Sequence, residues 1–128
     1  MRRLPPSKLA AFALLLVLAS CAGTHAQITR ALDQAFAATH AASDGFVSWD
    51  ESRQAAIVGA AMTEESGEVA LRDYRAKREA VVGAFAVAFS AIGAAQAALA
   101  AGSDPDLAGV VRAAQEVHRL LVAFRGTL

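Results

Sequence analysis

The stretch EVALRDYRAKREAVVGAFAVAFSAIGAAQAALAA, residues 68–101, decides the fold class. Leu71, Arg78, Phe85, Ile92 and Leu99 recur every seven residues, and Tyr74, Val81, Ala88 and Ala95 fill the complementary positions. Two interleaved series at this spacing mark the buried seam of a helix packed on other helices. Alanine, which loses no side-chain entropy on becoming helical, fills much of the remainder. The stretch therefore predicts one helix of about 34 residues, roughly 50 Å long at 1.5 Å per residue.

Its second half, Ala80 to Ala101, carries no charge. That length is enough to suggest a membrane span. Half of it is alanine, however, so its transfer energy is modest. The preceding Arg72, Arg75, Lys77 and Arg78 also oppose the positive-inside tendency for an exported chain. The reading is a core helix whose small residues let neighbours approach closely. A bend at Gly83 or Gly93, folding the helix back, is the alternative shape.

Three further helices are expected around it. Ile28, Leu32, Ala35, Phe36 and Thr39 form one stripe of a helix from about Gln27 to Ala42, ended by Ser43-Asp44-Gly45. Ser48 and Glu51 have the spacing of a capping box, so a second helix runs from about Trp49 to Met62. The chain breaks near Gly67. Gly102 ends the long helix, Asp104 caps and Pro105 opens a last helix to about Phe124, with Leu107, Ala114 and Leu121 alternating with Val110, Val117 and Phe124. The expected fold is all-α, an antiparallel bundle of about four helices in a single domain, 27–128. Glu68–Arg72, Asp73–Lys77, Arg75–Glu79 and Arg112–Glu116 are spaced to pair along the surface. Helices of about 16 residues cannot cover a helix of about 34. An apolar Ala/Gly face between Val82 and Gly93 is therefore expected to stay open, for a protein partner or for homo-oligomerisation.

Upstream, the chain changes character. Arg2, Arg3 and Lys8 precede eleven apolar residues, Leu9 to Ala19. As a helix these reach only about 16 Å, half the hydrocarbon core, so they have the layout of an export signal and not of a span. From residue 21 onward nine basic and twelve acidic side chains leave a net charge of −3. Such a body lacks the basic face that nucleic acid requires.

Leu18-Ala19-Ser20-Cys21 closely resembles the lipobox of bacterial lipoprotein precursors: an aliphatic residue, two small residues, then cysteine. The resemblance covers about the first 23 residues. It implies a signal peptide over 1–20, cleavage between Ser20 and Cys21, a diacylglyceryl group on Cys21, and a short tether over 21–26. Ala22, in place of the aspartate that retains enteric-type lipoproteins in the inner membrane, implies the outer membrane, facing the periplasm. Cys21 is the sole cysteine, so lipidation leaves the body without a thiol.

Chemistry-bearing motifs are scarce. His25, His40 and His118 have no metal-ligating spacing, and no glycine-rich phosphate loop occurs. No nucleophile arrangement is visible either, so neither an enzyme nor a cofactor beyond the covalent lipid is expected. The most informative polar-aromatic group is Trp49, Asp50, Arg53, Tyr74, Arg75 and Arg78. A turn near residue 65 brings its two halves together, and Arg78, at a seam position, needs an acid that Asp50 can supply. The group reads first as hairpin packing and second as a small recognition patch. The expected function is a membrane-anchored structural or protein-interaction module. The alternatives are an apolar-ligand-binding bundle and a lysis-related envelope lipoprotein, similar in anchor and size to outer-membrane spanins.

Overall fold

The computed structural model describes residues 24–126. Thr24 opens the first helix with a reciprocal cap: its hydroxyl accepts from Gln27 N at 3.3 Å, and Gln27 Oε1 accepts from Thr24 N at 2.9 Å. Helix α1 then runs without interruption over His25–Ala60. His25 and Ala26 are thus helical and not part of the tether.

The break expected at Ser43-Asp44-Gly45 does not form. Leu32, Ala35, Thr39, Ala42, Phe46 and Asp50 are all buried, at steps of three and four straight through those residues. Burying that continuous stripe outweighs the turn preference of a three-residue segment and the helix cost of one glycine, about 1 kcal/mol. The capping box at Ser48 is lost with the break. Ser48 sits in mid-helix and its carbonyl accepts from Ser52 Oγ. Where four helices were expected, the described residues form three.

Helix α2 spans Glu64–Ala100. Thr63 caps it by accepting from Ser66 N, and Glu64 and Glu65 place negative charge at the positive end of the helix dipole. It therefore starts one turn before the break expected at Gly67. A side chain at Gly67 would stand 3.2 Å from the Ala61 Cβ, so glycine lets the turn close tightly. Gly102, at φ 76°, ends the helix: Ser103 N donates to Ala98 O and Gly102 N to Leu99 O, a Schellman motif.

Helix α3 spans Leu107–Gly126. Its cap is Asp106, whose Oδ1 accepts from Gly109 N at 2.9 Å and whose carbonyl accepts from Val110 N. Asp104 does not hold that place, because the helix begins beyond Pro105.

Three residues connect α1 to α2 and a short loop connects α2 to α3, so neighbours run antiparallel. α2 is central and unbent into a second arm: α1 and α3 both pack on it. Near the start of α1, Leu32 and Ala35 meet Ile92, Ala95, Leu107 and Val110. Further along, Ala42 and Phe46 meet Val81, Phe85, Val117 and Phe124. Leu32, Val81, Ile92, Val110 and Val117 are the most completely enclosed large side chains, each stabilising the bundle by about 1.5–3 kcal/mol.

Candidate functional site

The hairpin sets α1 and α2 side by side, with Asp50 opposite Tyr74. Asp50 is 3% exposed, yet it is fully supplied with donors. Tyr74 donates its hydroxyl to Oδ1 at 2.9 Å, Arg78 donates Nε to Oδ2 at 2.6 Å, and Gln54 Nε2 donates to Oδ2 at 3.1 Å. Burial, then the bond to Asp50, pushes the Tyr74 hydroxyl well above its ordinary pKa of 10.0. The seam arginine has found its acid.

An aromatic shell caps the network where α3 ends. Phe124 lies 5.2 Å from Trp49 and 5.3 Å from Tyr74, centroid to centroid, and Phe46 joins from the preceding turn of α1. Between Phe46, Trp49, Leu121, Phe124 and Arg125 lies a shallow open dimple with a cavity volume of about 10 Å³. Small-molecule pockets generally run from about 300 to 1,000 Å³.

Of the six residues read from the sequence as a patch, the structure joins Asp50, Tyr74 and Arg78 directly and sets Trp49 against Tyr74. Arg53 is half-buried, and its Nε is enclosed without an acceptor. Arg75 stands exposed outside the hydrogen-bonded group. Gln54 was not anticipated. Its signal is its place one turn after Asp50, a spacing that the helix expected from Trp49 to Met62 already contained. Continuity of α1 through residues 43–45 pairs His40 Nδ1 with Asp44 Oδ2 at 3.2 Å, an i,i+4 contact that the expected break had removed. His25 is exposed and His118 half-buried. Among the described residues, no three His, Cys, Asp or Glu side chains gather as a metal site would require.

None of the four expected surface pairs closes within 4 Å among the described residues. Glu116 instead pairs with Arg119, three residues on, and that bond draws its carboxyl below the ordinary range.

Along α2, the surface between Val82 and Gly93 is open. Val82, Gly83, Ala86, Val87, Ser90 and Gly93 are all exposed, and nothing stands within 4 Å of where a side chain at Gly83 or Gly93 would begin. By length and composition, α2 is the described helix that could cross a membrane. Its inner face, including Val81, Phe85 and Ile92, is buried against α1 and α3. Ser20, Cys21 and the signal segment lie outside the described residues.

No protein-family model matches the chain, and neither a curated protein nor a solved structure does.

Proposed function

We propose that the chain is a lipoprotein: Cys21 carries the lipid after cleavage at Ser20–Cys21, and the helical body is a non-enzymatic protein-interaction module held at the membrane. The lipobox carries this reading. The position of the first helix supports it. Thr24 caps α1 only three residues after Cys21, a reach of about 10 Å in extended chain, so the bundle starts at the bilayer surface. Two or three acyl chains, at about 0.8 kcal/mol per buried methylene, hold such a body firmly where one chain binds marginally.

The interaction role draws on the charge-free surface of α2 between Val82 and Gly93, which faces solvent along several turns. Exposed apolar surface of this extent is what a partner-binding protein presents. The outer membrane, facing the periplasm, is the proposed location, on the strength of Ala22.

Replacing Cys21 with Ser tests the anchor. The expected result is an unprocessed chain with unchanged precursor mobility and no incorporation of labelled fatty acid. Labelled fatty acid retained by Cys21→Ser would overturn the lipoprotein reading.

A further inference from the structure

Two buried series meet at the hairpin turn, and they share one phase. On α1, Leu32, Thr39 and Phe46 are buried at seven-residue steps; on α2, Gly67, Tyr74, Val81, Ala88 and Ala95 are. Phe46 and Gly67 stand a whole number of heptads apart, with Arg53 and Ala60 at the steps between. An antiparallel hairpin needs no such agreement, because its turn resets the phase of the second helix. One uninterrupted helix does need it. Proline does not forbid that helix, since Pro5, Pro6 and Pro105 all lie outside it. The turn itself is local. Ala61, Met62 and Thr63 are held by the Thr63 cap and by the bond from Ala61 N to Val58 O. Between Asp50 and Gly67 no residue is buried, so little packing is lost when the turn opens.

We propose that two copies of this chain exchange their α1 helices. Residues 61–63 then join α1 and α2 into one helix from His25 to Ala100, and α1 of each copy packs on α2 and α3 of the other. The contacts themselves name the second copy. Asp33 with Gln96, Phe36 with Phe89, and Asp50 with Tyr74 and Arg78 all re-form between copies instead of within one. A two-fold axis at the turn makes each of them twice, as a closed exchange requires. Charged groups between the helices therefore keep the partners they have in the closed chain. The new neighbours stand at the axis, where Glu64, Glu65 and Glu68 of both copies gather and residues 54–71 supply no base. Those carboxylates and the Thr63 cap hold the single chain closed, so high salt and loss of the cap favour the exchange. The proposal needs neither the lipid nor the surface between Val82 and Gly93.

Cross-linking between two marked chains tests this. Both are full chains with Cys21→Ser, which removes the sole native thiol; one carries Asp33→Cys and the other Gln96→Cys. They are unfolded together in urea, refolded in about 1 M salt, where charges are screened within about 3 Å, and treated with a short bismaleimide. The mixture is expected to give a band at twice the chain mass. Either chain alone is expected to give none, since its two thiols would stand roughly 85–100 Å apart across the axis. Met62→Pro in both chains should abolish the band and leave the helical circular dichroism in place. Ala61 is already extended, as a residue before proline must be, and among the described residues Met62 N donates no hydrogen bond. Thr63→Ala in both should raise the band by about fivefold or more, because each exchange gives up two caps. No band from the mixture, an equal band from either chain alone, or a band that neither Met62→Pro lowers nor Thr63→Ala raises would each overturn the exchange. The lipoprotein reading stands or falls separately, because neither chain has the cysteine that would take the lipid.

Discussion

Asp50 holds the hairpin in register because its two oxygens take three donors from two helices. Its removal leaves Arg78 without an acid. Arg78 is 36% exposed, so Asp50→Ala should cost about 3 kcal/mol, the lower end for a broken buried pair. Tyr74→Phe removes one of three donors and should cost about 1 kcal/mol at neutral pH, read as a fall in the urea midpoint. The two chains should then converge in alkali. Tyr74 holds its proton in the folded state above pH 10.0, while the unfolded chain releases it. Unfolding is therefore favoured by about 1.4 kcal/mol for each pH step above 10, a slope that Tyr74→Phe lacks. Tyr74 is the sole tyrosine, so tyrosinate absorbance follows it alone and should rise only as the helices melt. Arg78 at a seam position already demanded an acid at the sequence level. Gln54, one turn after Asp50, was legible as well, since the helix expected from Trp49 to Met62 already sets residues 50 and 54 on one face.

At the scale of the element, local signals and long-range burial compete, and the outcome differs from place to place. Thr63 and Gly102 won locally, since no buried stripe crosses either position. Ser43-Asp44-Gly45 lost, since Ala42, Phe46 and Asp50 continue one stripe across it. That stripe was present in the sequence, in the seven-residue steps from Leu32 to Thr39 to Phe46, but a turn triplet masks such a pattern when segments are read separately. The same contrast governs glycine replacement. Gly83→Ala should stabilise by about 0.5–1 kcal/mol, because a methyl there meets nothing and alanine is the better helix former. Gly109→Ala offers the same propensity gain, but its methyl would collide with the Asp106 carboxylate that caps α3. Displacing that cap costs about 0.5–2 kcal/mol. Urea midpoints at unchanged slope should thus rise for Gly83→Ala and stay level or fall for Gly109→Ala.

For the molecule as a whole, unequal helix lengths divide the bundle into two regimes. α1 and α2, of 36 and 37 residues, each reach about 55 Å, whereas the 20 residues of α3 reach about 30 Å. α3 runs from the Leu32–Ile92 layer to the Trp49–Tyr74 layer and stops there. Beyond it, between Asp50 and Tyr74, Gly67 is the sole buried residue. Among the described residues, that end of the hairpin is two helices with no third to enclose a core, and a two-helix segment keeps its backbone hydrogen bonds near solvent. Its opening should cost far less than global unfolding, and it should open as a unit down to the Asp50 network. Amide hydrogen exchange on the full chain should show residues 51–73 exchanging well before 32–46 and 81–95. Asp50→Ala should extend the fast region toward Phe46. Uniform protection along α1 would mean that something else encloses the distal end. With Thr24 at the opposite end, the part expected to open first is also the part of the described residues farthest from the start of α1. A fluctuating tip there leaves the layers around Leu32, Ile92 and Phe85 untouched, and with them the α2 surface proposed for binding.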